Sequence, residues 1–308
     1  MSSFPELEKL PGIEISRGEL LAAHTTLKIG GPAELFVRVQ TESGLARLLG
    51  FVRETETDFQ ILGLGSNVLL PDSGLPGVVA LLEGEFLQTT FRDHGVEAGA
   101  GLPLSRLARV TVERGLVGME ALAGFPSTVG GAVVMNAGCY GVEIKDILES
   151  TVVLMADGAR KVLLCEELEP GYRSTNLQGT ATVVSRATFH LRPEDPQVAR
   201  ERLTRLNRQR RRSMPSGRPN AGSVFKNPAG DYAGRLVEAC GLKGEQRGGA
   251  EISRQHANVI VNNGGASSED VLALMLLMHE EVEKRFGVSL EPELILGGAL
   301  AQSWRAES

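Results

Sequence analysis

At about 150 residues per domain, a chain of 308 residues makes roughly two domains, with enough length to bury a real core. Apolar residues make up 42% of it and charged residues 23%, an ordinary globular composition that excludes wholesale disorder, collagen and coiled coil. Lys plus Arg (32) against Asp plus Glu (38) leaves a net charge of -6, which argues against a broad footprint for duplex nucleic acid or an anionic membrane.

The N-terminus, Met1 to Leu10, carries Glu6 and Glu8 and no apolar run, so a signal peptide is not expected and the cytoplasm is the default compartment. Leu35, Val37 and Val39 alternate with polar neighbours and predict a half-buried strand after about 20 ungrouped residues. Leu45, Leu48, Leu49 and Val52 share one helical face, and Phe59 to Leu62 then reads as a strand running into Gly63-Leu64-Gly65-Ser66-Asn67. Val78 to Leu82 and Val96 to Ala98 read as strands, and Pro103 suits the start of a helix over Leu104 to Arg114. Ala121 to Val142 has no formal charge over 22 residues, but Gly124, Gly130, Gly131, Gly138 and Gly141 with Pro126 and Asn136 make it a set of bends rather than a membrane span.

Val152 to Met155 and Lys161 to Leu164 flank Asp157-Gly158, the dipeptide of a two-residue hairpin turn. Thr182 to Leu191 repeats the strand pattern, Pro193 to Pro196 reads as a linker, and a charged helix follows over Val198 to Arg212. The domain boundary is placed there, giving 1–195 and 196–308. Beyond it come a short helix, Ala233 to Ala239, stopped by Gly241, and a strand, Ala257 to Val261. A long helix capped by Ser267 or Ser268 and ended by Gly287 comes last. Strands and helices interleave without the regular alternation of a doubly wound sheet, so the fold class is α+β.

Gly63 to Asn67 lacks the third glycine and the following helix of a dinucleotide fingerprint. It fits either a plain tight turn or a nest of backbone N–H groups for phosphate. The second Gly-rich stretch, Gly118 to Gly141, fits either close-packed bends or a second grip on an extended nucleotide cofactor. The arginines from Arg200 to Arg212 fit a solvated helix face first and a polyanion site second. Cys139, Cys165 and Cys240 are far apart, and the five histidines show no ligand spacing, so no metal is expected.

His24 to Gly31, Gly63 to Asn67, Gly118 to Pro126, Thr128 to Ala132, Met135 to Gly138, Tyr172-Arg173-Ser174, Ala221 to Pro228, His256-Ala257-Asn258 and Leu290 to Glu293 follow one another in fixed order. Taken together, these words resemble the UDP-N-acetylenolpyruvoylglucosamine reductase family, in the shorter of its two forms. The likeness spans roughly residues 20 to 297. Three positions depart from the family's common pattern: Leu64 interrupts the phosphate loop's glycines, Ser127 stands where glycine is frequent, and Ile295 stands where many relatives have arginine.

The resemblance implies a vanillyl-alcohol-oxidase-like (PCMH-type) FAD-binding domain in two subdomains, followed by a C-terminal α+β substrate-binding domain. It implies FAD and NADPH as cofactors, UDP-N-acetylglucosamine enolpyruvate as substrate, and a monomer without nucleic-acid or membrane partners. By the same resemblance, Gly63, Gly65, Ser66 and Asn67 hold the pyrophosphate. Gly124, Ser127, Thr128, Val129, Gly130, Gly131, Asn136 and Gly138 approach the cofactor elsewhere, and Tyr172, Lys226 and Asn227 meet the substrate. Arg173, Ser223 and Glu293 match the catalytic positions, with Ser223 as proton donor. A flavin oxidase, or a flavin or UDP-sugar sensor with a decayed site, is the competing class.

Overall fold

The computed structural model describes Leu7 and residues 10–308. The expectation about Glu6 and Glu8 lies outside the described residues. The chain packs into two compact units, and neither is a continuous stretch. The first contains the described residues up to Arg17, then Leu35–Leu64 and Gly77–Arg208; the second contains Gly18–Glu34, Gly65–Pro76 and Gln209–Ser308. These packing units run differently from the single cut at 195/196, which concerns which residues serve which ligand.

In the first unit, a helix forms over Glu42–Glu54 because Leu45, Leu48 and Leu49 make one apolar face, and Thr41 accepts the N–H of Gly44 as its N-cap. That face joins a core with Val78, Ala80, Val96, Leu107, Val153 and Phe189. A five-stranded antiparallel sheet built from Thr89–Arg92, Gly95–Gly99, Leu148–Leu154, Arg160–Leu164 and Val183–His190 has Arg160–Leu164 at one edge and Thr89–Arg92 at the other. A four-stranded sheet contains Ile13–Leu20, Pro32–Val39, Leu75–Leu82 and Phe59–Ile61. The sequence reading left Ile13–Leu20 ungrouped, although Ile13 and Ile15 already alternate there.

Two local expectations are corrected. The hairpin after Leu154 has a three-residue loop, not a two-residue one. Gly158 N–H donates to Met155 O at 2.8 Å, Met155 N–H donates to Ala159 O at 2.8 Å, and Gly158 has φ +80°, the form in which a turn is followed by a left-handed residue. Pro193 to Pro196 is no loose linker. Arg192–Pro193 pairs with Leu116–Val117, Glu194 N–H donates to Gly115 O, and the helix begins at Pro196 and runs to Ser213.

The start of that helix is held by charge. Glu120, 4% exposed, accepts the N–H of Gly118 at 2.6 Å and pairs with Arg202 at 2.7 Å, while Arg202 also reaches Glu194 at 2.8 Å. The remaining arginines at 200, 205, 208, 211 and 212 are exposed, as a solvated face requires. Arg202→Ala strands a buried carboxylate, and removing one partner of a buried pair costs roughly 3–5 kcal/mol. Because Arg202 keeps a third of its side chain in water, the expected loss lies at or below the lower end, read as a drop in the urea midpoint at unchanged slope. An unchanged midpoint means that water replaces the guanidinium.

The second unit has its own core: Phe225, Leu236, Val237, Ile252, Ile260, Met275, Met278 and Trp304, with Leu27 and Ile29 from the N-terminal part of the chain. Its sheet runs in the order Asn220–Ser223, Val259–Asn262, Ala250–Ile252, Gln246–Arg247. The long helix Ser268–Phe286 starts at a reciprocal cap, with Asp270 N–H donating to Ser267 Oγ and Ser267 N–H donating to Asp270 Oδ2, and ends at Gly287 with φ +66°. Asp72 fastens the Gly65–Pro76 segment to this helix by accepting both the N–H and the hydroxyl of Ser268.

Candidate functional site

In the first unit the Gly-rich stretch folds as a 3-10 turn, Glu120–Gly124, and a short helix, Val129–Val134, capped by Thr128. Val129, Gly130 and Gly131 use their N–H groups within the protein, donating to Leu102 O, Ala100 O and Thr128 Oγ1. None of the three N–H groups is left free for a ligand, and of the three residues only Gly131 is exposed. Gly130 is required for packing, since a Cβ there falls 2.9 Å from the Cβ of Ala100. Gly63 lies against Thr128 in the same way, with a Cβ falling 2.8 Å from Thr128 Oγ1, and Ser127 turns its hydroxyl onto Thr128 O.

Asn136, 1% exposed and with φ +39°, spends its side-chain amide on the protein. It donates to Gly171 O at 2.8 Å and Glu143 Oε2 at 3.1 Å and accepts the N–H of Lys145. It therefore fixes the turn Gly171 to Ser174, at whose tip Arg173 takes φ +57°, a strained region for a side chain of this size. The Arg173 guanidinium donates to Gly138 O at 2.8 Å and lies 5.2 Å from the centre of the half-exposed Tyr172 ring. Gly138 admits it, because a Cβ there falls 3.2 Å from Arg173 Nη1.

The second unit brings together the remaining predicted residues. Thr26 receives nothing in the sequence reading beyond its place in a family word, yet its N–H donates to Gly65 O and its hydroxyl to Asn220 O at 2.7 Å. Asn67 Nδ2 donates to Glu293 O at 2.9 Å, and Asn67 O accepts the N–H of Ile295, so Val68–Leu69 and Ile295–Leu296 pair as parallel strands. Ile295 is thus a pairing residue with a half-exposed side chain. The N–H groups of Glu293 and Leu294 both donate to Val224 O, directly after Ser223.

Gly222 shapes the strand just before that serine. Its φ of +75° is open to glycine, its N–H donates to Asn220 Oδ1, and the register between Asn220 and Ser223 shifts there. Lys226 pairs with Glu291, and Asn227 Oδ1 accepts the N–H of Ala233 at the start of the next helix. Glu251, buried in the strand Ala250–Ile252 of the same sheet, is held below the usual carboxylate range by hydrogen bonds from Asn263 and Gln246 and by Arg218. Arg173 lies in the first unit and Ser223 and Glu293 in the second.

Ser127 and Thr128 in the first unit, and Ser66 and Asn67 in the second, carry hydroxyls or an amide and no acidic group, and Gly138 is only partly buried. That chemistry fits a diphosphate and a planar cofactor better than a metal. Among the described residues no group of three or more His, Cys, Asp or Glu can hold a metal ion, and no helix is long and apolar enough to cross a membrane.

The comparisons with known proteins agree with this chemistry. The family model for an FAD binding domain matches residues 33–163, and the fold is α+β with that domain N-terminal, so the chain is in the class of FAD-dependent oxidoreductases. The model for the C-terminal domain of UDP-N-acetylenolpyruvoylglucosamine reductase matches residues 214–296. UDP-N-acetylenolpyruvoylglucosamine reductase 2 of Symbiobacterium thermophilum is 43% identical over 94% of this chain and 93% of its own length. The reductase of an Anaeromyxobacter species is 45% identical over 95% and 92%. The solved structure of the reductase from Thermus caldophilus superposes with a TM-score of 0.81 at 39% identity, covering 93% of this chain and all of that one. The chain belongs to the UDP-N-acetylenolpyruvoylglucosamine reductase family.

Proposed function

We propose that this protein reduces UDP-N-acetylglucosamine enolpyruvate to UDP-N-acetylmuramate with NADPH and FAD, as a cytoplasmic monomer serving peptidoglycan synthesis and hence cell shape and division. Residues 1–195 serve mainly the flavin and 196–308 the UDP-sugar. The observation that carries the reading is the hydrogen-bonded frame in which Val224 O receives Glu293 N–H beside Ser223, in a chain of this family. FAD, when bound, would supply the hydride chemistry that links NADPH to the enolpyruvyl ether.

The protein's part begins with charge. Hydride at C3 leaves negative charge on C2 and the adjoining carboxylate, and fixed donors lower that barrier. Arg173, held in place by Gly138 O and the Tyr172 ring, is one such donor; Glu293 is another when its carboxyl is protonated. Ser223 gives its hydroxyl proton to C2, completing the addition of H– and H+ across the double bond. Lys226 and Asn227 face the anionic sugar nucleotide, with Lys226 exchanging its contact with exposed Glu291 for the ligand.

The test is an anaerobic absorption experiment on the purified yellow protein. NADPH is expected to bleach the flavin band and the enolpyruvyl sugar to restore it. Fast reoxidation by oxygen and none by the sugar makes the protein an oxidase; no bleaching by NADPH removes the electron donor from the reading.

A further inference from the structure

Asn258 is 2% exposed and belongs to a family word to which the sequence reading gives no chemical role. Its surroundings explain why an amide is needed. The strand Asn220–Ser223 pairs with Val259–Asn262, and the last partner of that ladder is Ser223 with Val259. Beyond Ser223 the partner strand Val259–Asn262 has ended, and the chain bends at Val224 and passes to Phe225 without that strand beside it. Asn258 takes the missing strand's place. Its main-chain O accepts Val224 N–H at 2.9 Å, its Oδ1 accepts Phe225 N–H at 3.1 Å, and its Nδ2 donates to Phe225 O at 2.8 Å.

On the other edge of the strip Val224 to Lys226, Val224 O accepts Glu293 N–H at 2.8 Å, Lys226 N–H donates to Glu291 O, and Phe225 bridges to Pro292. One short strip therefore has Asn258 on one side and the Glu293 segment on the other, with Ser223 at its start. The turn that carries Asn258 is itself fixed: Ser253 Oγ accepts the N–H groups of Gln255 and His256, and His256 Nδ1 accepts that of Asn258 at 3.3 Å. Burial pushes the His256 pKa down, which keeps that nitrogen available as an acceptor.

We propose that Asn258 is a positioning residue that sets the place of the Ser223 hydroxyl. The proposal rests on the reading of Ser223 as proton donor. A buried backbone donor and acceptor left unpaired recover partners by shifting, and a shift of about 1 Å at a reacting group costs on the order of 10²-fold in rate. Asn258→Ala removes both side-chain bonds to Phe225; Asn258→Asp keeps the acceptor and replaces only the donor to Phe225 O.

The experiment mixes dithionite-reduced holoenzyme with the enolpyruvyl sugar under anaerobic conditions, for both variants, alone and combined with Ser223→Ala. Flavin content, reduction by NADPH and the sugar's dissociation constant are expected to stay within about threefold of wild type, while reoxidation slows by 10-fold to 10²-fold. In the Ser223→Ala background the Asn258 substitutions are expected to add less than threefold, because the group they position is gone. Amide hydrogen exchange at residues 224–226, which needs no turnover, is expected to speed up in both variants. Equal slowing in both backgrounds, equal slowing of both half-reactions, unchanged exchange, or failure of both variants to fold overturns the proposal. Lack of any reoxidation in the wild type overturns the proposed function instead.

Discussion

Ser223→Ala is expected to separate the two half-reactions. The substitution removes one hydroxyl and leaves the main-chain frame intact, because Ser223 takes part in the ladder through its backbone and the strip after it is held by Asn258 and the Glu293 segment. Bleaching of the flavin by NADPH is expected at nearly the wild-type rate, since no proton passes to the sugar in that step. Reoxidation by the enolpyruvyl sugar is expected to slow by about 10² to 10⁴, the usual worth of a positioned general acid. Stopped-flow absorbance checks both in one preparation. If both steps slow together, the serine positions ligands; if neither slows beyond about tenfold, or 1.4 kcal/mol, water or another group delivers the proton.

The second large effect is expected at Gly65. This residue has φ +58°, and a Cβ there overlaps the carbonyl oxygen of His24 and lies 2.7 Å from Thr25 Cα. Gly65→Ala therefore adds about 1–2 kcal/mol of backbone strain to a collision that only a displaced loop relieves. Moving the loop also breaks the Thr26 N–H bond to Gly65 O and shifts Asn67, which holds Glu293 O. The variant is expected to purify with flavin affinity lowered at least tenfold, read from the ratio of visible to protein absorbance and by titration with FAD. Gly18→Ala is the control, because Gly18 has φ +65° with nothing within 4 Å of the added carbon. Equal flavin loss in both variants would mean that backbone strain alone, not the collision with residues 24 and 25, governs the site.

Much was legible in the sequence where the physics is local. The helix Glu42–Glu54 and the helix between Ser267 and Gly287 follow from periodic apolar residues and from caps, each decided by neighbours three or four positions away. The family words, taken in their order, pointed to the family to which the chain belongs.

The tertiary structure decided what depends on partners far along the chain. Asn67 meets Glu293 across 226 residues and Asn262 meets Leu27 across 235, so the membership of Gly18–Glu34 and Gly65–Pro76 in the C-terminal unit had no local signal. The amides of Val129 and Gly130 are used internally, because Leu102 and Ala100 arrive from another segment. The same holds for Asn258, whose value lies in replacing a strand that ends one residue too early. A sequence specifies which groups can donate and accept, and periodicity says which faces are buried. Which donor finds which acceptor is settled only when the chain closes its long loops, since an unpaired buried polar group is too costly to leave and its partner is chosen by packing.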